Sequence, residues 1–216
     1  MKKIVIVDTG SSNVLSLKRA IEIFDTDVEV TANSEVILSA KKVFFPGVGA
    51  FKNVMQTLKK KNLIETLIRV KEKEIPLFGI CLGLQLFFNE SDEFGPSKGL
   101  GIIEGNVQIL PKISKDKEKL KVPNIGWFKL NLNKKYSNKK FSKFIDSIDE
   151  KDFYYFIHSY FVNPTKKENI VATYYFGGYD IPAIIAKDNI IGCQFHPEKS
   201  GKKGLELLKN FLNLTF

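Results

Sequence analysis

The predicted fold is decided by the stretch Ile75-Pro-Leu-Phe-Gly-Ile-Cys-Leu-Gly-Leu-Gln-Leu-Phe-Phe88. Its apolar first half predicts a buried strand around Phe78, and a helix is predicted to begin near Gly83. Cys81 lies at the turn between them, with a glycine two residues away on either side. This G-x-C-x-G pattern permits the sharp strand-to-helix turn that exposes the nucleophile of α/β hydrolases, because glycine has no Cβ to clash. We therefore predict that Cys81 is a catalytic nucleophile; a buried structural cysteine is the alternative.

Strands and helices alternate along the first part of the chain. Apolar runs predict strands at 3–8, 28–31 and 43–45, and helical spacing of apolar residues predicts helices at 14–24 and 54–70. After Glu93 the sequence changes to short segments typical of antiparallel strands, and it ends in a predicted amphipathic helix at 201–212. The predicted fold class is α/β: a doubly wound, mostly parallel sheet flanked by helices, with an additional smaller antiparallel sheet.

Length and composition predict a single domain over residues 1–216. Of the 216 residues, 44% are hydrophobic, which is enough for one substantial core. No apolar run reaches the ~18 residues of a membrane span, and residues 1–8 are predicted as a strand rather than a signal peptide. Two cysteines, Cys81 and Cys193, form no disulfide framework, so we expect a cytoplasmic protein.

The net charge of +9 does not lead us to expect nucleic-acid binding. Only Arg19 and Arg69 are arginines, and the other basic residues are lysines scattered along the chain. Arginine is the usual residue for bidentate contacts with phosphates and bases. A metal site is not expected either, since two histidines and two cysteines at these separations offer no usual ligand spacing.

A cysteine nucleophile needs a base, and the sequence offers His158 and His196. His196 precedes Pro197, which favours an extended conformation, so that Glu198 is predicted to lie on the same side of the chain. A carboxylate beside an imidazole fixes its tautomer and stabilises its protonated form. We predict His196 as the base and Glu198 as its orienting acid, and we interpret His158 as a pocket or structural residue. The glycine-rich loop at 46–51 follows a strand and is predicted to present backbone N–H donors beside Cys81.

Two motifs resemble the signatures of class I glutamine amidotransferases, which use a Cys-His-Glu triad. They are Gly79-Ile-Cys-Leu-Gly-Leu-Gln85 and Gln194-Phe-His-Pro-Glu-Lys-Ser200. The segments 46–51, 122–127 and 156–160 resemble one branch of that class, the glutaminase subunits that supply ammonia for imidazole glycerol phosphate synthesis in histidine biosynthesis. The resemblance extends from residue 8 to the C-terminal helix. It implies the fold of the class, glutamine as the substrate and no cofactor.

The resemblance also implies a role for each matching residue. Cys81 is expected to form a glutamyl thioester, with His196 transferring protons and Glu198 orienting His196. The positions implied for the oxyanion hole are Leu82, Gly47, Val48 and Gly49. Those implied for binding glutamine are Gln85, Glu93, Ser159 and Tyr160. Those implied at a partner interface or ammonia exit are Asn13, Trp127, Tyr155 and Lys199. The expected partner is a (β/α)8-barrel synthase subunit in a heterodimer, which uses the ammonia to make imidazole glycerol phosphate and an aminoimidazole carboxamide ribonucleotide.

Four positions depart from the pattern of this branch, at Thr9, Ser12, Asn124 and Phe128. Asn124 stands where the branch usually has histidine, and Phe128 where it usually has asparagine. We expect these residues near the docking face, so the alternative is a paralogous subunit that feeds ammonia to a sugar or surface-polysaccharide precursor through a similar barrel. A non-catalytic scaffold and a cysteine hydrolase of similar topology are alternatives from other classes.

Overall fold

The computed structural model describes residues 3–10, 14–136 and 139–215. The strands are β1 (Ile4–Val7), β2 (Val28–Thr31), β3 (Lys42–Gly47), β4 (Leu77–Cys81), β5 (Phe88–Ser91), β6 (Ser97–Lys98), β7 (Ile103–Ile109), β8 (Asn124–Lys129), β9 (Asn131–Leu132), β10 (Phe153–His158), β11 (Tyr160–Pro164), β12 (Ile170–Phe176), β13 (Tyr179–Lys187) and β14 (Ile190–Cys193). The helices are α1 (Val14–Glu22), α2 (Ser34–Leu38), α3 (Phe51–Lys60), α4 (Leu63–Glu72), α5 (Leu82–Gln85), α6 (Ser142–Ile145) and α7 (Gly201–Asn213).

The main sheet has eight strands within the described ranges, in the order β2-β1-β3-β4-β14-β13-β12-β9. The pairs from β2 to β14 are parallel, and the pairs from β14 to β9 are antiparallel. Parallel neighbours in this order require helical crossovers, which α1, α3 and α4 supply. This confirms the predicted mostly parallel α/β sheet.

The antiparallel strands are distributed differently from the single small sheet that we predicted. Strands β12, β13 and β9 extend the main sheet, while β8 pairs only with β10 among the residues described. A further sheet has the order β11-β7-β5-β6, and its β5–β7 pair is parallel. Sequence patterns report which residues are extended, but strand pairing depends on contacts between distant segments.

Two predicted helices also differ from the structure. The segment predicted as one helix at 54–70 is divided into α3 and α4, because Asn62 adopts a left-handed conformation with φ 54° between them. The helix after Cys81 has four residues, and the apolar run continues instead into β5 at Phe88. Periodicity alone does not separate a short buried helix from a strand, since both are apolar on every side.

Both faces of the main sheet are covered. Along β1, Ile4 and Ile6 face a core that includes α1 and α7, while Val5 and Val7 face a second core that includes α3 and α4. Alternate strand residues point to opposite faces, which explains why this strand is apolar throughout. At the centre of the main sheet, Gly47 lies opposite Cys81 and Cys193 lies opposite Ile80. The ends of β3, β4 and β14 therefore meet at one edge of the sheet. In the part of the chain described, no helix is long and apolar enough to cross a membrane.

Candidate active site

Cys81 ends β4 in a strained backbone conformation, with φ 53° and ψ −111°. Positive φ is uncommon for a residue other than glycine, and such strain costs about 1–3 kcal/mol and is often found at functional sites. The chain passes directly from β4 into α5 at this point. The Cys81 side chain is 8% exposed and lines a cavity. The turn therefore presents the sulfur to the cavity from the end of a central strand.

The glycines on either side of Cys81 are required for space. A Cβ atom on Gly83 would lie 1.8 Å from the carbonyl oxygen of Phe45, and one on Gly79 would lie 2.5 Å from the ring of Phe87. The residue of the motif that has a positive φ is Cys81 itself. The pattern predicted the sharp turn, and the structure shows that its glycines allow α5 to pack directly onto β3 and β4.

His196 and Glu198 follow the end of β14. The His196 Nδ1 atom lies 2.8 Å from Glu198 Oε1, and the two side chains are only 4% and 1% exposed. His196 is extended, as the following proline favours, and Glu198 lies in a 3-10 turn at Pro197–Lys199. Because the carboxylate occupies Nδ1, the other ring nitrogen is the one available to the Cys81 sulfur.

The charge of His196 is set by its neighbours. Burial by itself lowers the pKa of His196, but the charge and hydrogen bond of Cys81, together with the carboxylate of Glu198, outweigh it and raise this pKa to about 10. An imidazolium beside a sulfur anion is the resting state that favours nucleophilic attack by cysteine. The three side chains can thus perform acyl transfer with proton transfer by the imidazole.

Ser200 holds the histidine segment against β10, a contact that the sequence analysis did not identify. Its Oγ donates to the His196 carbonyl oxygen over 2.7 Å and accepts the Tyr155 N–H over 3.0 Å. The His196 N–H donates in turn to the Tyr155 carbonyl oxygen over 2.9 Å. Ser200 is buried, and these bonds fix the backbone from which the imidazole projects.

A cavity of about 340 Å³ brings together most of the residues singled out in the sequence. Its lining residues are Val48, Gly49, Cys81, Leu82, Gln85, Glu93, Ile157, His158, Ser159, Tyr160, His196 and Lys199. Gly47 lies behind this lining, opposite Cys81 across the β3–β4 pair. Gly49 has φ 101°, a conformation that glycine adopts readily. The N–H of Leu82 begins α5 and therefore has no acceptor within that helix.

Two polar side chains define one end of the cavity. Gln85 Nε2 donates to the Tyr160 carbonyl oxygen over 2.8 Å and to Gln194 Oε1 over 3.0 Å, so its own oxygen is the atom left for a ligand. Glu93 Oε2 accepts the Phe51 N–H, the first of α3, over 2.6 Å. The carboxylate is partly buried and its second oxygen can face a cationic group in the cavity.

His158 is a neutral residue of the cavity wall. Its Nδ1 lies 2.9 Å from the Tyr160 carbonyl oxygen, which can only accept, and its Nε2 lies 2.9 Å from the Tyr174 hydroxyl. Burial lowers the pKa of His158 to about 4. The side chain therefore supports the backbone at Tyr160 and does not act as a base, in agreement with its interpretation as a pocket or structural residue.

The side chains of Asn124 and Phe128 point into the protein and not onto the exposed side of β8, and their expected place near a docking face stays a prediction. Asn124 is buried, and its amide donates to the Tyr174 hydroxyl over 3.1 Å. The Phe128 ring packs against that of Tyr174, with 5.2 Å between centroids. Residues alternate along β8, and these two point inward.

The opposite face of the β8–β10 pair is apolar and exposed. Its exposed large side chains are Ile125, Trp127, Phe153 and Ile157, and the Trp127 ring lies 5.7 Å from that of Tyr155. We name these five residues the apolar face. Ile157 also lines the cavity, as does Lys199. Of the residues predicted for a partner interface, Asn13 lies outside the described part of the chain.

No group of three or more histidine, cysteine or acidic side chains suited to a metal ion is found in ranges 3–10, 14–136 and 139–215. The site is instead a strained cysteine, a buried histidine–carboxylate pair and a polar cavity, on a doubly wound sheet. This combination defines a class of acyl-transfer enzymes with a cysteine nucleophile.

The comparisons assign the chain to a family within that class. The sequence profile described as "Glutamine amidotransferase class-I" matches residues 5–214, so the chain belongs to this family. Proteins named "Imidazole glycerol phosphate synthase subunit HisH" are similar over nearly their whole length. The one from Caldanaerobacter subterraneus subsp. tengcongensis is 41% identical over 95% of both chains, and the one from Methanocaldococcus jannaschii is 40% identical over 97% of this chain and 98% of that one.

Solved structures share the fold at much lower identity. One titled "Crystal structure of glutamine amidotransferase" has a TM-score of 0.69 and 16% identity, and covers 96% of this chain and 98% of its own. The glutaminase domain of Trypanosoma brucei CTPS with bound acivicin has a TM-score of 0.65 and 16% identity, and covers 100% of this chain and 96% of its own. These likenesses confirm the fold class predicted from the sequence.

Proposed function

We propose that this chain, as one domain over residues 1–216, is the glutaminase subunit of an imidazole glycerol phosphate synthase that acts in histidine biosynthesis. The observation that carries the proposal is the convergence of Cys81 and His196 at one cavity, with Glu198 paired to the His196 ring. It is supported by relatives with that name that are 35–41% identical along the chain.

The first half of the reaction forms a thioester. The Cys81 sulfur adds to the side-chain amide carbon of glutamine. The resulting oxyanion accepts hydrogen bonds from the N–H groups of Leu82 and of the loop at Gly47, Val48 and Gly49. When the carbon–nitrogen bond breaks, the imidazolium of His196 gives its proton to the departing nitrogen, which leaves as ammonia. Glu198 keeps the His196 ring oriented throughout, because its carboxylate holds Nδ1.

The second half of the reaction releases glutamate. Neutral His196 takes a proton from water as the water attacks the thioester carbon, and the carbon–sulfur bond then breaks to restore the sulfur anion and the imidazolium. The raised pKa of His196 suits this cycle, since the ring is protonated whenever the sulfur is an anion.

The glutamine substrate is proposed to lie along the polar end of the cavity. Its α-ammonium group pairs with the Glu93 carboxylate and with the oxygen of Gln85, both of which accept hydrogen bonds. The backbone at Ser159 and Tyr160 completes this subsite. Of these groups, the Tyr160 carbonyl is already held by Gln85 and His158, so it is fixed before substrate binds.

The ammonia is proposed to pass to a (β/α)8-barrel synthase subunit in a heterodimer. Free ammonia is mostly ammonium at neutral pH and is then a poor nucleophile, so direct transfer preserves its reactivity. Lys199 and Tyr155 are proposed to lie beside the exit for ammonia. Trp127 and Asn13 are proposed to lie at or near the surface that contacts the barrel subunit. The apolar face fits a partner interface because it is exposed and continuous with the cavity through Ile157.

The proposal is tested by assaying glutamine hydrolysis with the purified barrel subunit and a phosphorylated ribulosyl aminoimidazole carboxamide ribonucleotide. We expect hydrolysis to rise sharply with both present and to disappear in Cys81→Ala, while synthesis from added ammonium salt continues. Cys193→Ala, which alters the other cysteine, is the matched control and should keep both activities. Hydrolysis that responds only to a barrel acting on a sugar precursor would support the paralogous function instead.

A glutamine-analogue electrophile distinguishes the remaining classes. We expect it to label Cys81 covalently and to leave the buried Cys193 unmodified. The Cys81→Ala variant should therefore not be labelled. A protein that stays unlabelled with the barrel subunit present would be a scaffold or a hydrolase of another substrate.

A further inference from the structure

A fully buried side-chain amide contacts the sulfur of Cys81. Gln194 Nε2 lies 3.6 Å from Cys81 Sγ, and Gln194 has no exposed surface. Its backbone N–H donates to the Ala183 carbonyl oxygen over 2.8 Å, which fixes the residue between the end of β14 and His196. The mechanism described above assigns no role to this side chain.

The neighbours of Gln194 determine which end of its amide faces the sulfur. Gln85 must direct its nitrogen at the Tyr160 carbonyl oxygen, because a carbonyl oxygen only accepts hydrogen bonds. The same nitrogen lies 3.0 Å from the Gln194 side chain, and an amide nitrogen only donates, so the Gln194 atom opposite it is the oxygen. The Gln194 nitrogen is therefore the atom beside Cys81.

We infer that Gln194 is a further catalytic residue of the glutaminase reaction, whose side-chain N–H binds the Cys81 sulfur anion and orients it. The inference rests on the proposed function. A sulfur anion is a stronger acceptor than a thiol, so this bond favours the nucleophilic form. Its direction is fixed by Gln85 and the Tyr160 carbonyl, two groups of the proposed glutamine subsite. Substrate binding and orientation of the sulfur thus share one chain of hydrogen bonds.

The effect of Gln194 on the Cys81 sulfur must be distinguished from the effects of the ionisable groups around it. Those that line the cavity or lie directly behind it are Glu93, His158, Tyr160, Cys193, His196, Glu198 and Lys199. The experiment therefore compares variants in which all of these except Cys193 are retained. Cys193→Ala serves as the common background, because the chain then has a single cysteine and alkylation reports on Cys81 alone.

The test measures the pH dependence of the rate at which iodoacetamide alkylates Cys81 in the full chain. Gln194→Met removes the donor with little change in length, and Gln194→Glu keeps the shape but places an acceptor beside the sulfur. We expect the pH midpoint of alkylation to rise by about one unit in Gln194→Met and further in Gln194→Glu, with the high-pH rate within about twofold of the background protein. Thermal unfolding by circular dichroism checks that each variant is folded.

An unchanged midpoint in a folded variant would overturn the inference. If neither variant folds, NMR of the background protein, which keeps Gln194, tests the inference instead. In the background protein we expect the NMR signals of the Gln194 side-chain amide to shift with the same pH midpoint as alkylation, and signals that do not respond would contradict the inference.

Activity with the barrel subunit separates this inference from the proposed function. At pH values well below the alkylation midpoint, Gln194→Met is expected to lose about tenfold in kcat/KM for glutamine, and above the midpoint it should recover toward the background protein. A background protein that hydrolyses no glutamine would refute the proposed function and leave the alkylation result intact. A loss of activity in Gln194→Met that is equal at every pH would indicate a structural role for Gln194.

Discussion

The protonation of His196 depends on two residues that approach it from different sides. Glu198 holds one nitrogen of the ring from within its own segment, and Cys81 reaches the ring from β4. Burial acts in the opposite direction and lowers the pKa of His196. The charge on the ring is therefore a consequence of tertiary structure, since the separate segments would leave an ordinary histidine with a pKa of about 6.5.

Removing the sulfur should make this dependence visible. In Cys81→Ala we expect the pKa of His196 to fall from about 10 toward the ordinary value of about 6.5, because burial is then opposed by Glu198 alone. NMR titration of the imidazole signals measures this directly, as the chain has two histidines. His158 is the internal control and should stay neutral down to about pH 5, since burial lowers its pKa to about 4. A His196 titration that is the same with and without Cys81 would contradict the proposed pair.

The sequence predicted some of these residue contacts and missed others for a physical reason. His196 and Glu198 are two positions apart beside a proline, so their contact follows from local geometry. The bond between His158 and Tyr174 joins β10 to β12, and no local pattern reports it. The inward position of Asn124 could have been predicted, because Ile125 and Trp127 alternate with it on one strand.

At the level of elements, the turn at Cys81 depends on the fit of α5 against two strands. Strain at Cys81 is maintained only if the surrounding structure holds the chain in place. The absence of side chains at Gly79 and Gly83 provides that close fit, since neither has room for a Cβ atom. The sequence predicted the turn because the glycine spacing around Cys81 is a local pattern. The short length of α5 depends instead on packing against β3 and β14, which are distant in sequence or belong to other elements.

Gly83→Ala is expected to disrupt this fit. The new Cβ atom would lie 1.8 Å from the Phe45 carbonyl oxygen, which belongs to the backbone of β3 and has little freedom to move. We expect the free energy of unfolding to fall by about 3 kcal/mol or more, measured by urea denaturation. Gly95→Ala is the control: Gly95 has φ 99° but no atom within 4 Å of the new Cβ, so only backbone strain of about 1–2 kcal/mol is added. Equal losses in the two variants would argue against close packing as the role of Gly83.

Ser200 joins two elements, and its loss should affect catalysis more than binding. Ser200→Ala leaves the Tyr155 N–H and the His196 carbonyl without the bonds that align β10 with the histidine segment. We expect a loss of about 1–3 kcal/mol in stability and a lower kcat with little change in KM, because the imidazole is displaced while the glutamine subsite is retained. Ser39→Ala removes an exposed hydroxyl bond to the Val36 carbonyl far from the site and should leave both constants unchanged. A raised KM in Ser200→Ala would show instead that the subsite had moved.

Considered as a whole, the molecule places its reactive groups and its apolar face at adjoining surfaces. The β8–β10 pair has one side turned to the core, through Asn124 and Phe128, and the other exposed at Trp127. Strand β10 ends with Ile157 and His158, both of which line the cavity. A partner seated on the apolar face would therefore cover the cavity and receive ammonia without release to solvent.

Trp127 gives the sharpest test of this arrangement. Its side chain is 52% exposed and contacts the Tyr155 ring, so Trp127→Ala removes apolar surface from the face without opening the core. We expect the thermal midpoint to change by no more than about 2 °C, since exposed substitutions are usually within about 0.5 kcal/mol. The affinity for the barrel subunit should fall by about tenfold or more, which corresponds to an interfacial tryptophan worth at least about 1.4 kcal/mol. Isothermal titration calorimetry measures that affinity.

The matched control is Tyr175→Ala, which removes an aromatic side chain that is 61% exposed on β12 and does not line the cavity. It should bind the barrel subunit as tightly as the unsubstituted chain. In Trp127→Ala, glutamine-dependent synthesis should fall while synthesis from added ammonium salt is retained, because the barrel still performs its own reaction. If both variants bound equally well, the partner would dock elsewhere. The ammonia released at Cys81 would then have to reach the acceptor by a route other than the Ile157 side of the cavity.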